Sequence, residues 1–302
     1  MTVTLALGDG KCSQCYLRVM PDRFFKLALL GHPVGHSLSP SIHDAGLVAI
    51  GCLPGYVAID VSPGDLKDFV GSMVRKGFDG ANVTIPHKEA VVPLMDSLSP
   101  AAERIGAVNT IVVKDGRLHG DNTDHIGFIR PLQQFGEGFR SDRALVLGAG
   151  GAARAVLYAL GMSPQAKTIV LTARQSSRCQ RLLEALAMKD VSIVDWDARF
   201  KAAPTADLIV NTTPVGLWPR HEASPLAGCS FSTSQTVYDL VYNPGETQLL
   251  HDARSAGARI QPGLPMLIEQ AAESFFQWTG HELDRDAVRV ALGPVLRSST
   301  SA

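Results

Sequence analysis

From Phe24 almost to the C-terminus, short apolar runs rich in β-branched residues alternate with stretches whose apolar residues recur three and four positions apart. The run FFKLALL, residues 24–30, predicts the first strand. GYVAIDV from Gly55 predicts a second, and Leu66, Phe69, Val70, Met73 and Val74 then stand at helical spacing before GANVTI from Gly80. That order predicts βαβ units on a largely parallel sheet. A turn at Asp115 and Gly116 joins VNTIVV to another extended piece, and Asp124 opens a helix. A second series begins at ALVLGAGG (144–151) and continues through TIVLTAR (from 168), VSIVDW (from 191), ADLIVNTTP (from 206) and TVYDLVYNP (from 236). Between Gly263 and Gly280, Leu264, Leu267, Ile268, Ala271 and Phe275 form the apolar stripe of one more helix. Residues 1–22 carry no strong period, so 1–23 is read as a poorly ordered extension, with Met20 a candidate start.

Two α/β units fit 302 residues. With 45% apolar and 19% charged residues the chain is globular in composition, and 28 basic against 29 acidic residues leave a net charge of −1. No bulk field draws it to nucleic acid or to an anionic membrane, so any anion must be gripped locally. No apolar stretch approaches the roughly 18 residues of a membrane span. Cys12, Cys15, Cys52, Cys179 and Cys229 are odd in number and mostly scattered, which favours a reducing cytoplasmic setting over a disulfide framework. CSQC at 12–15 is half a zinc site without its other half, and His32, His36 and His43 lack the spacing and acidic neighbours of a metal centre, so no metal is expected.

The strongest local motif is VLGAGGAARA, in which Gly148, Gly150 and Ala153 fill a GxGxxA pattern between strand and helix. Gly148 permits the tight turn, Gly150 lets Ala149, Gly151 and Ala152 bring their backbone close to a pyrophosphate, and Ala153 lets helix and strand pack. An NAD site usually carries a carboxylate at the end of the next strand. From Arg143 through Leu183 there is no acidic residue, while Arg154, Lys167, Arg174, Arg178 and Arg181 are cationic. Arg174 at the strand's end and Arg178 one helical turn later suit a 2′-phosphate, which favours NADP over NAD. Lys167 and Arg181 read as a solvated helix face.

In HSLSP (36–40), Ser39 suits a helix cap and Pro40 the first helical position, which leaves Ser37 free beside a helix N-terminus that attracts a carboxylate. In ANVTIPHKEA, Asn82 and Thr84 project to one side at a strand end, and Lys88 follows just beyond Pro86. Taken alone, Lys88 reads as a surface lysine. HSLSP, NVTIPHK, GAVNT, GDNTD, VLGAGGAARA, NTTPVG, DLVYNP and GLPMLIEQA, however, occur in the order that marks the shikimate dehydrogenase family, which the chain resembles from about Phe24 to Leu296.

The resemblance implies NADP-linked, reversible reduction of 3-dehydroshikimate to shikimate, a step toward chorismate and the aromatic amino acids, in a cleft between a substrate domain and a Rossmann domain. It implies Lys88 and Asp124 as the catalytic pair, Ser37 and Ser39 on the substrate carboxylate with Tyr242 near it, and Asn82, Thr84, Asn109, Asp124 and Gln270 around the ring hydroxyls. Asn211, Thr212, Thr213 and Gly216, with Met266, would line the cofactor site on its nicotinamide side. Met266, four residues before Gln270, should face the cleft with it while Leu267 and Phe275 face the core. Residues 24–124 with 262–302 are expected to form the substrate domain and 125–261 the dinucleotide domain, with a hinge that closes the cleft.

His87, His125, Ala173, Gln175 and Leu217 depart from the family's commonest residues and suggest a paralogue with altered turnover or substrate range. His87 and His125 also flank the catalytic pair in sequence. A quinate or aminoshikimate dehydrogenase is the alternative within the family, although the serine pair and the absence of an acidic residue in the cofactor loop resemble the shikimate form. An NADP-binding regulator without turnover is the alternative outside it. The partner expected is a small-molecule substrate, with a homodimer left open.

Overall fold

The computed structural model describes residues 24–35, 37–136, 139 and 141–298. The extension and its CSQC motif lie outside them, as does His36. Two six-stranded sheets carry the chain. In the first, β1 (Leu27–Gly31), β2 (Tyr56–Asp60), β3 (Gly80–Val83), β4 (Ser97–Leu98), β5 (Thr110–Lys114) and β6 (Arg117–Asp121) lie in the order β2-β1-β3-β5-β6-β4. β5 alone runs against its neighbours. The Asp115–Gly116 turn explains this, because both residues adopt positive φ (52° and 72°), the geometry of a tight hairpin between β5 and β6.

The second sheet is wholly parallel, with β7 (Arg143–Leu147), β8 (Thr168–Thr172), β9 (Val191–Val194), β10 (Leu208–Asn211), β11 (Thr236–Asp239) and β12 (Arg259–Gln261) ordered β12-β11-β10-β7-β8-β9. This is the doubly wound dinucleotide order, and its direction reverses between β7 and β10, where such sheets bind ligands at the strands' C-terminal ends. Each expected strand is present, but the first begins at Leu27 rather than Phe24, and Phe24 is exposed.

Helices cover both faces of both sheets. α1 (Ser39–Ala49), α9 (Gly263–Thr279) and α10 (Arg285–Ser298) lie on one side of the first sheet, where Ile42, Leu47, Ile268 and Phe275 are buried with Leu27 and Leu29. α2 (Leu66–Ser72) and α3 (Pro100–Ile105) pack Leu66, Val70 and Ala102 on the other. The second sheet is faced by α4 (Asp124–Gln133), α5 (Gly151–Gly161) and α6 (Ser176–Leu186) through Phe128, Leu132, Val156, Leu157 and Leu182, and by α7 (Arg199–Ala202) and α8 (Gln248–Ser255) opposite. α4 also lies directly on α9. A Cβ at Gly127 would stand 2.7 Å from both Gln270 Cβ and Met266 O, so only glycine allows the two helices to come this close.

Candidate active site

The dinucleotide motif folds as its spacing dictates. Gly148 leaves β7 at φ 111°, and a Cβ there would stand 2.5 Å from Thr212 Oγ1, while nothing lies within 4 Å of where a Gly150 Cβ would be. The first glycine therefore serves the turn and the second leaves the groove open. Ala149, Gly150, Gly151, Ala152, Arg174, Arg178, Thr212 and Thr213 line one groove of about 580 Å³, joined by Ile85, Trp196, Pro214 and Val215. Ala153 is fully buried, in keeping with its packing role. Arg174 and Arg178 are exposed and form no ion pair among the described residues. Arg154 and Lys167 are engaged elsewhere, with Glu89 (2.8 Å) and Asp142 (2.8 Å).

Three residues expected along this groove do different work. Asn211 is completely buried; its Nδ2 donates to Asp239 Oδ1 (2.9 Å) and its Oδ1 accepts from Thr213 N (3.0 Å) and Oγ1 (2.7 Å). It shapes the loop that lines the groove, because an amide at a strand end has its donors and acceptors absorbed by the turn that follows. Met266 lines the neighbouring cavity instead. Gly216, at φ 95°, lies behind the loop against Ala223 and Thr247.

That second cavity, about 260 Å³, is lined by Ser37, Ser39, Asn82, Thr84, Lys88, Asn109, Asp124, Tyr242, Met266 and Gln270, together with Leu267. All the residues expected around the substrate thus meet in one place. Ile85 and Ala152 border both hollows, so groove and cavity adjoin. Leu267 departs from expectation, since it packs on the core and also reaches the cavity wall.

At the centre, Lys88 Nζ donates to Asp124 Oδ2 at 2.5 Å, the two side chains only 17% and 8% exposed. Asp124 Oδ1 accepts from Asn109 Nδ2 (2.7 Å), which also bonds Thr123 Oγ1 and Gln270 Oε1. Asn82 is fixed just as fully: Tyr56 Oη donates to its Oδ1 (2.8 Å), and its Nδ2 reaches Asn109 O, Thr110 Oγ1 and Ser274 Oγ. Tyr56, Thr110, Thr123 and Ser274 were not singled out from the sequence. They support the site across 192 residues of chain, and no local spacing announces such a network. The Lys88 side chain crosses toward the second sheet, with its Cδ 3.8 Å from where a Gly151 Cβ would stand.

The start of α1 corrects the capping assignment. Ser39 is the first helical residue and caps nothing; Ser37 Oγ accepts from the Ser39 N–H (3.2 Å) and lies 3.2 Å from Ser39 Oγ. Both hydroxyls still open on the cavity. Tyr242 borders it as well, its phenol pushed above the ordinary value by burial.

Among the described residues, His32, His43, His87 and His125 make structural contacts. His87 is buried and donates from Nε2 to Val61 O (2.7 Å), while His125 donates from Nδ1 to Asn122 O (2.6 Å) and packs edge-on to Tyr158; neither bonds Lys88 or Asp124. His32 pairs with Asp60, and His43 is buried against Tyr56. Among the described residues, no group of three or more His, Cys, Asp or Glu side chains is placed to hold a metal ion, and no helix is long and apolar enough to cross a membrane.

Comparison with known proteins agrees with this geometry. Residues 29–111 match the family model of the shikimate dehydrogenase substrate binding domain, and residues 263–292 that of the shikimate 5′-dehydrogenase C-terminal domain. The chain is 47% identical over 281 residues to the shikimate dehydrogenase (NADP(+)) of Moorella thermoacetica, covering 91% of this chain and 94% of that one. Its structure is similar to that of the Thermus thermophilus shikimate 5-dehydrogenase in complex with NADP(H) and shikimate (TM-score 0.80, 38% identity, 91% of this chain and 99% of that one). It is also similar to the Corynebacterium glutamicum quinate dehydrogenase in complex with NAD (TM-score 0.83, 33% identity, 90% and 100%). With the extent of these matches added to the paired hollows and the part-buried Lys88–Asp124 contact, the chain belongs to the shikimate dehydrogenase family.

Proposed function

We propose that this chain is an NADP-dependent shikimate dehydrogenase that interconverts 3-dehydroshikimate and shikimate. The observation that carries the reading is the Lys88 ammonium, held 2.5 Å from Asp124 in a cavity that adjoins the dinucleotide groove. The open space at Gly150, the tight turn made by Gly148 and the exposed arginines fit a dinucleotide bearing a 2′-phosphate. Reduced NADP supplies the hydride when bound there.

The chain's own groups supply the rest. Negative charge developing on the C3 oxygen of the substrate is met by the Lys88 ammonium, which donates the proton. In the reverse direction the Lys88 amine takes the hydroxyl proton. Asp124, held from its other oxygen by Asn109, keeps Nζ aimed into the cavity. Ser37 and Ser39 at the head of α1, with Tyr242 on the wall of the same cavity, receive the carboxylate; Asn82, Thr84, Asn109 and Gln270 surround the ring hydroxyls. Arg174 and Arg178 take the 2′-phosphate. Asn211 serves by shaping the Thr212–Val215 loop, and Met266 lines the cavity.

Residues 24–124 with those from 262 onward act as the substrate domain, and 125–261 as the dinucleotide domain. Arg154 on α5 reaches from the second to Glu89 and to Ile105 O (3.2 Å) in the first, so a closing motion must strain or keep this link.

Initial rates of shikimate and quinate oxidation, each with NADP and with NAD, test the reading through the near-ultraviolet absorbance of reduced nicotinamide. Shikimate with NADP should dominate. Turnover of quinate alone would move the assignment within the family, and no turnover despite NADPH binding would make the chain a silent regulator.

A further inference from the structure

Asp239 touches neither hollow, yet it holds the walls of both. It ends β11, is fully buried, and each of its oxygens is committed. Oδ1 accepts from Asn211 Nδ2 (2.9 Å) and from the Val241 backbone N–H (3.0 Å); Oδ2 accepts from Thr247 Oγ1 (2.6 Å) at the head of α8. The first bond leads to the dinucleotide groove: Asn211 fixes Thr213 and, from Nδ2 to Val215 O (3.2 Å), the far end of the groove-lining loop. The second sets the turn that delivers Leu240 and Tyr242 to the substrate cavity. Leu240 N in turn donates to Asn211 O (3.0 Å), so the two strand ends are tied by side chain and backbone alike.

Burial pushes the Asp239 carboxyl up to about 6, against the opposing bonds from Thr247, Val241 and Asn211. A carboxylate kept in so unfavourable a place has a structural use that a hydrophobic residue cannot fill, because Asn211 Nδ2 and Val241 N–H would be left without an acceptor.

Building on the assignment of the groove to NADP and the cavity to shikimate, we propose that Asp239 is a positioning residue that aligns the nicotinamide-side loop with the Tyr242 wall through the two bonds accepted by Oδ1. The bond from Thr247 to Oδ2 anchors the carboxylate and does not set the alignment. An asparagine can reproduce this, with its amide oxygen in the place of Oδ1 and its NH2 directed at the Thr247 hydroxyl, which rotates to accept.

The test compares Asp239→Ala, Asp239→Asn and Thr247→Val. Asp239→Ala should raise KM for NADP and for shikimate by about 10-fold each and lower kcat by a similar factor, the cost of displacing reacting groups by a fraction of an ångström to about 1 Å. Asp239→Asn should stay within about 3-fold of wild type in all three constants, and Thr247→Val should lose stability with its constants likewise kept. Equal damage from Asn and Ala would overturn the proposal, as would an Ala variant that loses only thermal stability, or one in which a single ligand's KM moves. If Asp239→Ala does not fold, Asn211→Ala cuts the same link and should weaken NADPH binding by about 10-fold, read from nicotinamide fluorescence; unchanged affinity would count against the proposal. That titration needs no turnover. If the wild type oxidised neither shikimate nor quinate, the functional reading would fall while the effect on NADPH affinity would still decide the role of Asp239.

Discussion

A dinucleotide with a 2′-phosphate should lose affinity for a variant in which Arg174 and Arg178 are both glutamine, and one without that phosphate should not. Both arginines line the groove, both are exposed, and neither forms an ion pair among the described residues, so their replacement breaks no internal contact of that kind. A hydrogen bond to a charged group is worth about 1.5–3 kcal/mol, and exposure to water and salt lowers this to about 1–2 kcal/mol for each guanidinium. Two groups on one phosphate do not add fully, so the double variant should raise KM for NADP about 10- to 100-fold. KM for NAD should stay within about 3-fold of its wild-type value. The assay is initial-rate kinetics with saturating shikimate, repeated at low and high ionic strength, because the wild-type KM for NADP should climb with salt while that of the variant climbs far less. An equal rise for NAD and NADP would refute the assignment, since it would place the arginines on a part of the dinucleotide that both share.

Two further outcomes follow from buried groups. In Asp124→Asn the new NH2 must face either Lys88 Nζ or Asn109 Nδ2, a donor against a donor in both orientations, so kcat should fall about 10²- to 10⁴-fold and stability by about 1–3 kcal/mol; turnover within about 3-fold of wild type would contradict the pairing. His43 stacks 4.4 Å from the Tyr56 ring with neither ring nitrogen partnered among the described residues, and burial, opposed by the neighbouring Asn82, lowers its pKa from 6.5 to about 3. Because the folded value is the lower one, this stabilisation is present above pH 6.5 and is lost as pH falls. Between about pH 7 and about pH 5 the loss is about 2 kcal/mol. Urea midpoints at the two pH values should show it in the wild type and about 2 kcal/mol less of it in His43→Phe; identical pH dependence would show that His43 is free to take up a proton.

Much of the site was legible in the sequence where its chemistry is local. The glycine turn needs only Gly148 and Gly150 at the end of an apolar run, and the hairpin needs only Asp115 and Gly116. Among the strands, those that escaped were too short to show a period, β4 with two residues and β12 with three. Reach across the chain escaped as well. Arg154 looked like part of a basic field because no acid lies near it in sequence, yet folding brings it to Glu89. His87 flanks Lys88 in sequence, yet its ring turns away to donate to Val61 O. Ser37 and Ser39 exchanged roles because the helix starts one residue earlier than the proline suggested, which left the backbone N–H of Ser39 for Ser37 to satisfy.

The role proposed for Lys88 is to supply the proton as hydride arrives from a dinucleotide in the adjoining groove. Its most direct test is a single-turnover measurement, with enzyme and NADPH in excess over 3-dehydroshikimate, on the wild type and on Lys88→Ala after NADPH affinity has been matched by fluorescence titration. NADPH oxidation should proceed one-for-one with shikimate formation in the wild type and slow by about 10²- to 10⁴-fold in the variant, with NADPH affinity changed less than about 3-fold. An unchanged rate of NADPH oxidation in Lys88→Ala would contradict the account.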